Sequence, residues 1–143
     1  WSYELLPDTG GAGKYRGALG IARDVEVLTD GVVFSRYGDR QKNSVPGAQG
    51  GGVGKPGRFV LNPGKDDMPL KSKGVDSLNK GDIVRIETPG GGGFGLADER
   101  DVVALVADLR DGKITQSFVS EQFGEAKLQA VLGLLHIPGQ AAE

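Results

Sequence analysis

Asp82-Ile-Val-Arg-Ile-Glu-Thr-Pro-Gly-Gly-Gly-Gly-Phe-Gly95 joins two opposite kinds of sequence. Asp82–Thr88, rich in β-branched residues, reads as a strand. The four glycines that follow carry no side chain to pack, so whatever order they have must come from the backbone itself. Exposed N–H groups of this kind suit the cradling of an anion or the close approach of another backbone. A free linker would need the same composition, but Phe94 supplies an aromatic anchor, and a shaped, packed loop is the better reading.

The same habit recurs upstream. Glycine makes up 25 of 143 residues, well above the usual ~7%, and 21 of the 25 lie between Gly10 and Gly95. Asp8-Thr-Gly-Gly-Ala-Gly-Lys-Tyr-Arg-Gly-Ala-Leu-Gly20 sets glycines beside two cations, Lys14 and Arg16. It lacks the phosphate-loop spacing, because the lysine follows Gly13 directly and Tyr15 stands where a serine or threonine would meet magnesium. A tight turn with solvated cations accounts for it on composition alone. Gln41–Gly57 has six glycines and two prolines in seventeen residues. So little apolar area cannot offset ~1–2 kcal/mol per residue of backbone ordering, and external support, such as another chain, is expected there.

Around these segments lie short β-type runs. Trp1, Tyr3 and Leu5 alternate with polar residues, and Ile21, Val25 and Val27 alternate with Ala22, Asp24 and Glu26, each pattern predicting a strand with one wet face. Val32–Tyr37 and Arg58–Leu61 are further strand candidates, and Asp30-Gly31 reads as a hairpin turn. From Asp98 the period changes to that of a helix. Val102, Leu105, Val106 and Leu109 share a face that starts at an Asp98 or Asp101 cap and stops at Gly112. A second helix is predicted from Thr115 to Gly124, burying Phe118, Val119 and Phe123, and a third from Glu125 to Leu135. The predicted class is α+β: a glycine-rich, mainly antiparallel β region over residues 1–97, then two or three short helices over 98–137 and a frayed tail at 138–143.

Composition narrows the chemistry. With 38% hydrophobic and 25% charged residues the chain has the make-up of an ordinary globular domain. A net charge of −2 gives no basic field for a phosphate backbone, so nucleic acid is not an expected partner. There is no cysteine, and the single His136 makes neither a histidine metal centre nor a relay. No apolar run nears the ~20 residues that span a bilayer; no membrane partner is expected, and the cytoplasm is the default location. The carboxylates Asp98, Glu99 and Asp101 suit a helix start, and Asp66-Asp67 a solvated turn, better than a metal. The opening at Trp1, without a preceding methionine, suggests a piece of a larger assembly.

Taken in order, the motifs resemble one family. Tyr3-Glu-Leu, Pro7-Asp-Thr-Gly-Gly-Ala-Gly-Lys-Tyr-Arg-Gly-Ala-Leu-Gly-Ile-Ala-Arg23, Lys71-Ser-Lys-Gly, Leu78-Asn-Lys-Gly through Gly95, Glu99-Arg-Asp and Val106-Ala-Asp-Leu-Arg-Asp-Gly112 follow the carboxy-terminal portion of the hydantoinase B/5-oxoprolinase family. The resemblance covers roughly residues 3 to 124. It departs after Gly95, where the family commonly has Asp-Pro and this chain has Leu96-Ala97-Asp98. The resemblance implies an ATP-dependent cyclic-amide hydrolase, such as N-methylhydantoinase or 5-oxoprolinase, or a related acetone- or acetophenone-type ketone carboxylase. It implies larger hydantoinase A-type and B-type subunits as partners, with this chain a small subunit or carboxy-terminal part that is inactive alone. It also implies ATP and a divalent metal in the parent complex, held by other chains, because the family's chemistry activates a carbonyl or enolate oxygen by phosphorylation. Within this chain, Lys14, Arg16 and Gly90, Gly91, Gly92 and Gly93 are the expected substrate- or phosphate-lining residues, acting through preorganised N–H donors and cationic charge. A purely structural assembly module is the alternative role.

Overall fold

The computed structural model describes residues 2–136. The Trp1 strand position and the tail at 138–143 lie outside the described residues. Seven strands precede three helices, as the change of period predicts. Strands β1 (Tyr3–Leu6), β2 (Gly20–Glu26), β4 (Arg58–Leu61), β5 (Met68–Leu70) and β7 (Ile83–Glu87) form one antiparallel sheet in the order β1-β2-β7-β4-β5. β3 (Val32–Tyr37) and β6 (Lys73–Leu78) form a separate two-stranded ribbon. β5 and β6 carry no sequence signal of their own: β5 is three residues around Pro69, and β6 alternates weakly through Gly74, Asp76 and Ser77.

Asp30-Gly31 is a turn, with Gly31 at φ +73°, but it does not close a hairpin. β3 pairs with β6 rather than with β2, so this turn carries the chain from the sheet to the ribbon. The ribbon lies against the sheet face that bears Phe59, Leu61, Val84 and Ile86. Val27, Leu78 and Val84 form the buried centre there, Val32 and Phe34 pack around it, and Phe34 meets Phe59 edge-on at 6.2 Å.

Because the sheet is antiparallel, β1, β2, β7 and β4 all point the same end toward the glycine-rich segments. β1 runs out into Asp8–Gly13 and β2 is entered from Arg16–Leu19. β4 is entered from Val45–Gly57, and β7 runs out into Thr88–Gly95. These segments bond to one another through the backbone. Gly11 N–H donates to Gly91 O, Gly91 N–H to Ala18 O, Gly93 N–H to Gly52 O, Gly52 N–H to Ala12 O, Ala48 N–H to Gly93 O and Lys55 N–H to Thr9 O, all within 2.7–2.9 Å. The expectation that Gln41–Gly57 needs outside support is therefore corrected: the support is internal. Its glycines supply one wall of the bundle, and its backbone groups find partners that no side chain has to provide.

Glycine is required in the bundle for space. Gly90, Gly91, Gly92 and Gly93 all have φ outside the left-handed region, so a side chain is compatible with their backbone angles. A Cβ on Gly93 would nevertheless come within 3.0 Å of the Ala12 backbone, and one on Gly92 equally close to Pro46 and Gly47. The turn glycines show the reverse: Gly112, at φ +65°, has nothing within 4 Å of its Cβ position. It ends α1 because an L residue there would be strained.

Helices α1 (Val102–Arg110), α2 (Gln116–Phe123) and α3 (Glu125–Leu135) pack around Leu105, Val106, Ile114, Phe118, Val119, Leu128 and Val131. Of the two candidate caps, Asp101 starts α1, its carboxylate accepting from Val103 N–H at 2.8 Å; Asp98 lies in the preceding 3₁₀ turn Ala97–Glu99. Thr115 caps α2, and Asp8 grips both its N–H and its hydroxyl at 2.7 and 2.8 Å, tying the end of β1 to that helix. Ala12 is the bundle's contribution to the helical core.

A second tie is ionic. Asp108, only 6% exposed on the inner face of α1, receives Nε and Nη2 of Arg16 at 3.0 and 3.1 Å and a further bond from Arg100. Burial pushes the Asp108 carboxyl up, but the hydrogen bond and charge of Arg16, joined by the charge and hydrogen bond of Arg100, outweigh it and hold the group below the usual carboxylate range. A carboxyl depressed by folding contributes stability that is present above its unfolded pKa and lost as pH falls through its folded one.

Two predictions follow from this packing. Gly93→Ala is expected to lower stability by about 3 kcal/mol or more, since a methyl must enter backbone space. Gly133→Ala, on the exposed side of α3 with nothing within 4 Å of the Cβ position, is expected to raise stability by about 0.8–1 kcal/mol. Urea unfolding of the two variants reads both signs, and equal effects would contradict the packing. Asp108→Asn leaves two guanidinium groups without their buried counter-charge and should cost about 3–5 kcal/mol. The same variant should unfold with a weaker dependence on acid below the normal aspartate range than the parent protein.

Candidate functional site

The six residues that the sequence marks as site-lining all lie in or against the glycine bundle, but with different degrees of freedom. Arg16 is largely buried; it chelates Asp108 and also donates to Gly17 O at 2.7 Å. Its charge is neutralised where it stands. Lys14 lies about half exposed, 3.4 Å from an equally exposed Glu99 carboxylate. An exposed pair at this distance is weak and exchanges readily with solvent or a ligand. Of the two cations that the sequence marks, Lys14 is therefore the one free to turn toward a bound anion.

The glycine run divides in the same way. Gly90 N–H donates to Lys55 O at 3.0 Å, Gly91 N–H to Ala18 O at 2.8 Å and Gly93 N–H to Gly52 O at 2.9 Å. Within the run, Gly92 N–H has no backbone acceptor among the described residues, and Gly92 is partly accessible. The side chains at the tip of the bundle are apolar. Tyr15 and Phe94 form a mutual backbone bridge with rings 6.3 Å apart, and Leu96 reaches over Gly50. Both rings stay at least half exposed.

Two of the clefts elsewhere on the described residues hold charged side chains. One, of about 360 Å³, runs between the bundle and α2 and is lined by Asp8, Gly10, Val53, Lys55, Ser117 and Glu121. The other, of about 480 Å³, opens on the charged face of the sheet beside Ser2, Asp24, Glu26, Ile83 and Arg85. Neither is lined by Lys14, Arg16 or the Gly90–Gly93 run. The lysine in the first cleft, Lys55, had no sequence signal: it sits in the segment that composition alone describes as structureless, and only the fold of that segment brings it beside Asp8 and Glu121.

The carboxylates do not gather. On the sheet, Asp24 is held below the usual carboxylate range, first by its hydrogen bond from Arg85 and then by that residue's charge. Arg58 and Glu87 form a second pair beside it at 2.6 and 3.0 Å. Asp67 closes its own turn by accepting from Gly64 N–H. His136 contacts its own helix, with Nδ1 2.7 Å from Leu132 O. No group of three histidine or acidic side chains comes together among the described residues, and the buried carboxylate of Asp108 and the partly buried Asp24 are already committed to arginines. The donors among the described residues do not fit a divalent metal.

Comparison with known proteins agrees with the motif order. Residues 1–97 match the family model described as hydantoinase B/oxoprolinase. An uncharacterized protein of Methanocaldococcus jannaschii is 46% identical over 114 residues, which is 79% of this chain and 20% of that one. The caprolactamase subunit beta of Pseudomonas jessenii is 27% identical across 85% of this chain and 22% of its own length. The crystal structure of ATP-dependent caprolactamase from the same organism superposes on 92% of this chain and 25% of that chain with a TM-score of 0.68 at 23% identity. A nucleotide-free acetone carboxylase structure covers 94% of this chain at a TM-score of 0.60 and 16% identity. The chain thus spans about a fifth of the length of these two curated relatives. With its β region matched throughout by the family model and its fold shared with an ATP-dependent lactamase, the chain belongs to the hydantoinase B/oxoprolinase family.

Proposed function

We propose that this chain is the carboxy-terminal module, or a separately encoded small subunit, of a hydantoinase B-type component in an ATP-dependent cyclic-amide hydrolase. It completes the B-type fold and forms part of the wall of the active site or of a subunit interface. The observation that carries this reading is the family match over residues 1–97. Cyclic-amide hydrolysis is preferred to ketone carboxylation because relatives found by sequence are named as a caprolactamase, a hydantoinase subunit and 5-oxoprolinases, whereas acetone carboxylase shares the fold at 16% identity.

An unactivated lactam resists hydrolysis; a phosphoryl group from ATP on its carbonyl oxygen would make the carbonyl carbon electrophilic enough for water to add and the ring C–N bond to break, the phosphate being released when the resulting acyl phosphate is hydrolysed. In this reading ATP and its divalent metal are bound by other parts of the complex, in the cytoplasm, with hydantoinase A-type and B-type subunits as partners. The part of this chain is to present a rigid wall. Hydrogen-bonded glycine segments hold their dipoles in place and need no reorganisation when charge develops nearby. Lys14 and Gly92 N–H are the groups left to face an anionic oxygen, while Arg16, Gly90, Gly91 and Gly93 keep the wall in shape.

The complex purified through a tag on this chain is expected to consume ATP when given 5-oxoproline, hydantoin or caprolactam, and the chain alone to consume none. Stimulation only by a ketone with bicarbonate would replace the reading with the carboxylase alternative, and ATP turnover by the isolated chain would refute both. In the assembled complex, Lys14→Met should lower kcat by about 100-fold, the usual cost of losing one stabilising donor, with an unchanged melting temperature. Normal turnover would remove Lys14 from the site.

A further inference from the structure

The two faces of the five-stranded sheet differ in a way that the described chain leaves unfinished. Strand register puts Glu4, Asp24, Arg85, Glu87 and Arg58 on one face, where they neutralise one another in ion pairs. The apolar residues on that face, Ala22 and Val60, are already buried, at 0% and 5% exposure. The opposite face carries Tyr3, Leu5, Ile21 and Val25 around a single exposed cation, Arg23, on β1 and β2, and Val84, Ile86, Phe59 and Leu61 on β7 and β4. The β3–β6 ribbon covers the β7–β4 half. The β1–β2 half is bare: Tyr3 is 67% exposed, Leu5 56% and Val25 39%, with Leu28 just beyond them at 74%. These are the alternating apolar positions that a sequence reading assigns to a buried face. Among the described residues β1 is also a sheet edge, bonded to β2 alone.

We infer that this bare half-face and the free edge of β1 are the docking surface for the rest of a family-length B-type polypeptide, whether that polypeptide continues from this chain or is a separate one. The inference rests on the proposed function and names the surface through which the module joins its complex. Two observations favour this occupant. Relatives carry this module within chains about five times the length of the matched part, so a body large enough to cover the face accompanies it in those proteins. A second copy of the chain fits less well. β1 is four residues long, an edge of roughly 14 Å, and two-fold pairing across it would leave Val25 and Leu28 uncovered and fall short of the ~1,000 Å² that a specific interface needs. An apolar patch of this kind beside an open edge is otherwise an aggregation hazard, and its retention indicates a regular partner.

The test compares side-chain labelling by hydroxyl radicals in the isolated chain and in the assembled, ATP-consuming complex. Tyr3, Leu5 and Leu28 are expected to lose most of their labelling on assembly. Leu5→Lys, a change at an exposed position, should leave the melting temperature of the isolated chain unaltered yet weaken assembly by about tenfold or more. Unchanged labelling in an active complex would overturn the surface while leaving the proposed function intact. Failure to find any ATP-dependent complex containing the chain would overturn the proposed function itself. Concentration-dependent dimers of the isolated chain that protect the same three residues would assign the face to a second copy and contradict the inference.

Discussion

Backbone meeting backbone, with no side chain between, is the constraint on which the rest of the molecule depends. A side chain on Gly92 or Gly93 would occupy the volume already held by the backbone of Pro46, Gly47 or Ala12, so these segments approach closely only because glycine is present on at least one side of each contact. The close approach in turn lets carbonyls and N–H groups of different segments satisfy one another. Glycine loses more conformational freedom on folding than any other residue, which makes a bundle of this type unfavourable unless it is assembled as a whole. The dense hydrogen bonding is what offsets that cost.

The bundle also explains how two modest apolar clusters act as one molecule. Val27, Leu78 and Val84 lie under the ribbon, while Leu105, Val119 and Val131 lie among the helices. The strands β1, β2, β4 and β7 extend into the glycine segments at one end, and Ala12 inserts from those segments into the helical cluster. Asp8 on Thr115, and Arg16 with Arg100 on Asp108, fix the helices to the same segments through polar contacts. Each tie starts at a residue embedded among glycines. Asp8 and Arg16 thus serve to orient the bundle against its neighbours, and Lys14 and Lys55 stand apart from them as exposed charges.

Much of this was legible in the sequence, and the exceptions share one cause. Helix limits were readable because Thr115, Gly112 and Gly124 act locally, through capping oxygens and positive φ, and because Val102, Leu105, Val106 and Leu109 repeat at helical spacing. β7 and β2 were readable from their β-branched residues. Long-range pairing was not: nothing within Val32–Tyr37 says that its partner is Lys73–Leu78 rather than the strand before it, so Asp30-Gly31 reads as a hairpin. Composition likewise cannot show that Gln41–Gly57 would be supported by Thr9–Ala12 and Gly90–Gly93, since each segment alone lacks anything to pack. For the candidate site, sequence located the right neighbourhood but did not separate the exposed Lys14 from Arg16, whose partner Asp108 is 92 residues away.

The account stands or falls on whether the glycine segments are a single ordered unit, and amide hydrogen exchange followed residue by residue measures that directly. The N–H groups of Gly11, Gly52, Gly91 and Gly93 should be protected to nearly the same degree as that of Leu105 in the helical core, and should lose protection together. Exchange of those glycines at free-peptide rates while Leu105 stays protected would show that they are flexible connections, and would contradict the backbone bundle as the foundation of the fold.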